Sequence, residues 1–161
     1  GHVDLTVLGA FEVDVHGNIA SWMIPGKLVK GMGGAMDLVA GAENIIVTMT
    51  HASKDGESKL LPQCSLPLTG AGCIRKVLTD LAYLEIEDGA FILRETAPGV
   101  SIEEIVAKTA GKLIVAVDVK EMTFYAIPCS PAATGPPAHY PVFAPAYAGP
   151  RLLLRGLVVV S

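Results

Sequence analysis

From Ile24 to Val39 the chain places Gly26, Gly31, Gly33 and Gly34, with the cations Lys27 and Lys30, directly ahead of an apolar stretch with helical spacing. Glycine has no Cβ, so a glycine run lets backbone N–H groups approach a ligand closely. A helix start adds unpaired donors and a partial positive charge. The chemistry such a loop serves is the holding of an anion or of a developing oxyanion. Spacing excludes two familiar versions. No Gly-Lys-Ser/Thr ending is present, so this is not a Walker-type phosphate loop, and Gly31-Met32-Gly33-Gly34 does not satisfy the dinucleotide pattern G-x-G-x-x-G. A tight turn without a ligand stays open beside the anion-holding reading.

The remaining acids read as structural. Glu57 lies in the polar run Lys54 to Lys59, which has the composition of a solvated loop. Glu12 and Asp14 alternate with Phe11, Val13 and Val15, as on the wet face of a strand. Glu103 and Glu104 follow Ser101 at a helix start, where acids complement the dipole. Cys64, Cys73 and Cys129 form no C-x-x-C pair and are odd in number, which signals neither a zinc site nor a disulfide framework and fits a reducing compartment. His2, His16, His51 and His139 lack ligand spacing, and His51 reads as a strand-end residue after Ile45 to Met49. No metal is expected.

Short apolar, β-branched runs at Val3 to Ala10 and Asn44 to Thr50 predict buried strands of a parallel sheet. Phe11 to Val15 and Asn18 to Trp22 flank the turn signal His16-Gly17, and Tyr83 to Glu87 and Ala90 to Glu95 flank Asp88-Gly89; both predict hairpins. Helices are predicted over Gly34 to Gly41, capped by Gly41, over Cys73 to Leu81, with Ile74, Val77, Leu78 and Leu81 on one face, and over Ser101 to Thr109, opened by a Ser101/Glu104 capping box. Leu113 to Val119 predicts a last strand. The expected class is α/β, an open, mainly parallel sheet with antiparallel hairpin additions.

Three stretches carry a resemblance in order and spacing: Gly1 to Ala10 with Gly17 to Lys27 and Lys30 to Val39, then Thr50 to Lys59, then Cys64 to Gly70. Over Gly1 to about Phe124 the chain resembles the β subunit of class I coenzyme A transferases, the 3-oxoacid type that uses succinyl-CoA in particular. The resemblance implies the CoA-transferase fold and a ping-pong exchange of CoA between succinyl-CoA and a 3-oxoacid such as acetoacetate. In that reaction a glutamate carboxylate forms first a mixed anhydride and then a glutamyl-CoA thioester. It further implies that backbone N–H groups of Gly33 and Gly34 face the oxyanion, each such donor contributing about 3 kcal/mol. Gly31, Met32 and Ala35 would line the substrate site, and Lys27, Lys30 and Lys54 are candidates for the CoA phosphates.

The family's glutamate sits in a Ser-Glu-Asn-Gly motif that does not occur in this chain. The resemblance is therefore to the C-terminal part of a β subunit, truncated at the N-terminus. The expected partners are an α subunit and the missing N-terminal β segment, with CoA thioesters as substrates and no permanently bound cofactor. Alone, the chain is expected to be inactive. A noncatalytic assembly module, an acyl-CoA hydrolase and a sugar-phosphate isomerase on a related sheet are the competing readings.

At 161 residues and 51% hydrophobic content, with few charges, the chain fits one domain with more apolar surface than a free monomer needs. A net charge of -4 offers no basic stripe, which argues against nucleic acid. There is no secretory signal pattern and no run of about 18 apolar residues, so no membrane span is expected. The resemblance implies a bacterial cytoplasm or a mitochondrial matrix. Composition changes after Phe124: Tyr125 to Ser161 holds seven prolines and no acid, dividing the chain into 1–124 and a Pro/Ala-rich tail, 125–161. Its end, Leu152 to Val160, is apolar enough to add a strand or to aggregate.

Overall fold

The computed structural model describes residues 5–26, 28–29, 34–42, 44–123 and 157–160, with backbone alone for 28–29 and 157–160. In chain order its elements are β1 (Leu5–Gly9), β2 (Glu12–Asp14), β3 (Ile19–Ala20), β4 (Met23–Ile24), β5 (Leu28–Val29), α1 (Ala35–Gly41), β6 (Ile45–Met49) and β7 (Leu60–Leu61). There follow β8 (Lys76–Thr79), β9 (Ala82–Glu87), β10 (Ala90–Thr96), α2 (Ile102–Lys108), β11 (Leu113–Glu121) and β12 (Leu157–Val160).

A seven-stranded sheet in the order β11-β10-β9-β8-β6-β1-β12 forms the frame. All its neighbours pair in parallel except at β9, which runs antiparallel to both β8 and β10. The expected α/β architecture with hairpin additions is the observed one. Parallel strands are covered on both faces and read as unbroken apolar runs. Leu8 of β1, Val47 of β6, Val77 of β8, Leu84 of β9 and Leu93 of β10 accordingly meet in one buried core. The β9–β10 hairpin turns at Asp88 (φ 48) and Gly89 (φ 71), the pair of positive φ values that a two-residue hairpin loop requires. A smaller sheet, β3-β2-β7, and the hairpin β4-β5 complete the set.

Several expectations are corrected. Cys73 to Leu81 is not a helix: Lys76–Thr79 is strand β8, wedged between β6 and β9 with Val77 and Thr79 buried and Lys76 and Leu78 less so. The apolar spacing there satisfies both periods, and strand neighbours on either side decide the outcome. Gly41 is the last residue of α1 rather than its cap, since the cap is Ala42 in extended conformation. The capping box of α2 is half formed. Ser101 Oγ accepts from the Glu104 nitrogen at 3.2 Å, whereas the Glu104 carboxylate is bound by Lys108 Nζ at 2.6 Å. Strand β11 runs to Glu121, two residues past the expected end, and Leu157–Val160 adds to the sheet as β12.

Candidate functional site

The Gly-rich stretch is framed on both sides. Before it, β4 and β5 form an antiparallel hairpin, Met23 opposite Val29 and Ile24 opposite Leu28, with Gly26 at φ 75 between them. After it, α1 begins with Gly34 as its N-terminal flanking residue at φ -77, and Gly34 O accepts from the Leu38 nitrogen at 3.0 Å. Gly34 is exposed and nothing lies within 4 Å of the position a Cβ would take; Ala35 is half-buried. Lys27, Lys30, Gly31, Met32 and Gly33 lie outside the described residues. Lys54 is exposed at a loop tip with Asp55, Gly56 and Glu57, a turn closed by Ser53, whose Oγ accepts from the Asp55 and Glu57 nitrogens at 3.2 Å each.

What positions α1 is the segment Cys64 to Gly70. Gly70 approaches Val39 of α1 so closely that an added Cβ would overlap the side chains of Val39 and Cys73, which would have to shift to admit a larger residue. The same segment is stitched to the chain leading into β4. Ile19 N donates to Gly70 O at 3.0 Å, Ser21 N to Thr69 Oγ1 at 2.9 Å and the Trp22 ring nitrogen to Leu68 O at 3.3 Å. Both ends of the Gly-rich stretch thus rest on one loop.

That loop is held in turn by two acids, Asp14 and Glu12, and the reading of Asp14 is corrected. Asp14 is fully buried rather than on a wet face. It accepts from the His16 and Asn18 nitrogens at 2.9 and 3.1 Å, from Asn18 Nδ2 at 2.8 Å and from the Cys64 nitrogen at 3.0 Å. Burial alone would raise its carboxyl, but these bonds, led by those from Cys64 and Asn18, outweigh it and hold the group below 3.8. Glu12, partly buried, accepts from Ser65 N and Oγ at 2.8 Å each and from Leu66 N at 3.0 Å. Beside them the Cys64 thiol is pushed up to about 12 by burial and by the Asp14 and Glu12 charges. It donates to Asn18 O at 3.7 Å. No local pattern in the sequence marks these bonds, which join residues 50 to 54 apart.

His51, two residues past β6, is fully buried. Its ring nitrogens lie 3.0 Å from Thr79 Oγ1 and 2.9 Å from Thr109 Oγ1, and its backbone nitrogen donates to Asp80 at 2.7 Å. It ties the ends of β6, β8 and α2 together. Burial lowers its pKa, as does Lys108, against an opposing effect of Asp80. Among the described residues no group of three or more His, Cys, Asp or Glu is placed to hold a metal ion, and no helix is long and apolar enough to cross a membrane.

The described residues on either side of the Gly-rich stretch, the β4–β5 hairpin and Gly34 ahead of α1, thus lie on a support braced by the carboxylates of Asp14 and Glu12. The Coenzyme A transferase family profile matches residues 1–108. The beta chain of acetate CoA-transferase from Haemophilus influenzae is 52% identical over 122 residues, 76% of this chain and 55% of that one. The corresponding chain of succinyl-CoA:3-ketoacid coenzyme A transferase from Helicobacter pylori is 53% identical over 109 residues, 68% of this chain and 53% of that one. The chain spans about half the length of these curated relatives. Among solved structures, an acyl-CoA transferase apoenzyme from Escherichia coli O157:H7 superposes with a TM-score of 0.65 at 25% identity, over 74% of this chain and 28% of that one. On the match to two thirds of its length and on identities above half, the chain belongs to the coenzyme A transferase family and aligns with its β subunits.

Proposed function

We propose that this chain supplies the oxyanion loop of a CoA transferase that exchanges CoA between succinyl-CoA and a 3-oxoacid such as acetoacetate. The observation that carries the reading is Gly34. It stands exposed where the Gly-rich stretch enters α1, with open space on the side where a Cβ would stand, on a support that two carboxylates brace. The choice of substrates rests on identity to the Helicobacter pylori relative, whose name states that pair.

In this reading a glutamate from outside the chain attacks the thioester carbonyl. The backbone N–H groups of Gly33 and Gly34 donate to the oxyanion that forms, and CoA leaves as the thiolate when the anhydride closes. The thiolate then attacks the glutamyl carbonyl, releasing the free acid and leaving a glutamyl-CoA thioester; the acceptor acid reverses both steps. Gly31, Met32 and Ala35 line the substrate, and Lys27 and Lys30 meet CoA phosphates. An α subunit and a β segment bearing Ser-Glu-Asn-Gly complete the enzyme, in a bacterial cytoplasm or a mitochondrial matrix.

The test is CoA exchange between succinyl-CoA and acetoacetate, run with the chain alone and with an α subunit plus that β segment. Exchange in the mixture alone is expected. Exchange by the isolated chain, or none from a complex shown to be assembled, overturns the reading, the latter in favour of an assembly module. Free CoA without acyl transfer would mark a hydrolase.

A further inference from the structure

The segment that supports both ends of the Gly-rich stretch is joined to the lead-in to β4 by a ladder that stops after one step. Ile19 and Gly70 form an antiparallel bridge, Ile19 N donating to Gly70 O at 3.0 Å and Gly70 N to Ile19 O at 3.4 Å. In that register the next bond of a regular ladder runs from Ser21 N to Leu68 O. Side chains replace it. Ser21 N donates to Thr69 Oγ1 at 2.9 Å, and Leu68 O accepts from the Trp22 ring nitrogen at 3.3 Å. The Ser21 and Thr69 hydroxyls are themselves in hydrogen-bond contact at 2.8 Å, and Thr69 N donates to Ile19 O at 2.7 Å.

Thr69 is thus the point at which the chain leaves the ladder. It is buried, and its hydroxyl stands where a backbone carbonyl would otherwise satisfy the Ser21 N–H. On one side, Ser21 leads into β4, which begins at Met23 and opens the hairpin ahead of the Gly-rich stretch. On the other, Gly70 lies against Val39 of α1 and against Cys73, with no room for a Cβ, which ties Thr69 to the helix that follows the stretch. One side-chain oxygen therefore relates the entry of the Gly-rich stretch to its exit.

We propose that Thr69 is a positioning residue for the transferase reaction: through Ser21 its hydroxyl holds β4 at the spacing from α1 that aims the N–H donors of the Gly-rich stretch at the oxyanion. The proposal rests on the reading that Gly33 and Gly34 supply those donors, and it adds what sets their aim. Thr69 itself touches no substrate in this scheme. Donors to an oxyanion act in the transition state and little in the ground state, so a misplaced loop lowers kcat and leaves KM for succinyl-CoA nearly unchanged.

The test compares the parent chain with Thr69→Val, which keeps the side-chain shape and deprives the Ser21 N–H of its acceptor, and with Thr69→Ser, which keeps the hydroxyl and loses a methyl. Backbone amide resonances of Met23 and Ile24 are read in each full chain. Values of kcat and KM for succinyl-CoA are read after assembly with an α subunit and the β segment bearing Ser-Glu-Asn-Gly. Thr69→Val should displace both amide resonances and lower kcat at least about tenfold, with KM within about twofold of the parent. Thr69→Ser should recover kcat to within about threefold. Unchanged kcat in Thr69→Val, a loss carried by KM instead, or Thr69→Ser as impaired as Thr69→Val overturns the proposal.

Should Thr69→Val not fold, Ser21→Ala decides, since it removes only the other half of the hydroxyl pair. A fall in kcat of about threefold at unchanged KM supports the proposal, and an unchanged kcat refutes it. The catalytic reading fails separately. Exchange by the parent complex that Thr69→Val leaves intact removes this proposal alone. Absence of exchange from every complex, the parent included, removes the transferase reading, while displaced Met23 and Ile24 amides in Thr69→Val would still place the hairpin under the control of Thr69.

Discussion

Oδ2 of Asp14 accepts a hydrogen bond from the Cys64 nitrogen at 3.0 Å, joining residues 50 apart in sequence and fastening the loop that supports α1 to the β2–β3 turn. With four donors on one buried carboxylate, the ionised form is strongly favoured in the folded chain. A depressed folded value means that the stabilisation is complete above the unfolded value and is lost as pH falls through the folded one. Asp14→Asn should therefore lower stability by about 2 kcal/mol at neutral pH. The deficit should shrink below about pH 4. Urea midpoints of both proteins from pH 7 down to pH 3 check this; a deficit constant across that range would show that geometry, not charge, holds the loop.

Burial, and after it the charges of Asp14 and Glu12, governs Cys64. Raising the thiol from its usual 9.0 to about 12 cuts its thiolate fraction at neutral pH about a thousandfold. Alkylation by iodoacetamide at pH 7.5, read by mass spectrometry at the Cys64 peptide, should be at least about a hundredfold slower than for a free cysteine peptide. Asp14→Asn should recover part of that rate, since one of the two neighbouring charges is removed.

The frame was readable and its bracing was not. Strands β1 and β6 announce themselves as apolar, β-branched runs, and Asp88-Gly89 marks its hairpin because few residue pairs tolerate two positive φ values. Periodicity failed at β8, where four residues are too few to separate a period of 2 from one of 3.6 and the flanking strands β6 and β9 decide. It failed again at Asp14, because alternation tells which side chains share a face but not whether a distant loop covers it. The acceptors of Cys64 to Leu66 lie some 50 residues upstream, and only the fold brings them together. Gly34 was legible by type, while its support by Gly70 and Val39 is a tertiary contact with no local signature.

His51 makes the fold sensitive to mild acid. Its ring nitrogens lie beside the Thr79 and Thr109 hydroxyls, which bond Ala82 O and Ile105 O in turn. Burial disfavours the charged form of the ring. Its folded pKa lies below the usual 6.5, so in the interval between the two values the unfolded chain binds more protons and stability falls as pH drops below about 6.5. His51→Gln should lie below the parent in stability at pH 8 and vary less between pH 8 and pH 5. Parallel pH slopes of the denaturant midpoints for the two proteins would assign the acid sensitivity to another group.

Gly34 separates chemistry from folding. Its φ of -77 suits any residue, and the space beside it is open, so Gly34→Val should lower stability by about 1 kcal/mol or less. In the reconstituted enzyme, a side chain of that size beside the proposed donor should displace the reacting carbonyl and reduce kcat about 100-fold. Comparable kcat for both proteins in the assembled complex would remove Gly34 from the oxyanion site.

Gly17 is the opposite case. At φ 78 it lies in the left-handed region, and an added Cβ would come within 2.5 Å of the Ile74 carbonyl oxygen, a backbone atom that cannot swing aside. That contact is close because Gly17 O accepts from both the Cys73 and Ile74 nitrogens, at 3.1 and 3.0 Å, which pins the lead-in to β8 against the β2–β3 turn. Backbone strain of about 1–3 kcal/mol and a steric penalty of similar size should make Gly17→Ala one of the most damaging single-methyl additions in the chain. Gly26, at φ 75 with nothing within 4 Å, supplies the control, because alanine there meets the strain without the clash. Thermal unfolding of the two variants should therefore place Gly17→Ala well below Gly26→Ala. Equal losses would mean that the β8 lead-in yields easily and that the turn is held by its conformation alone.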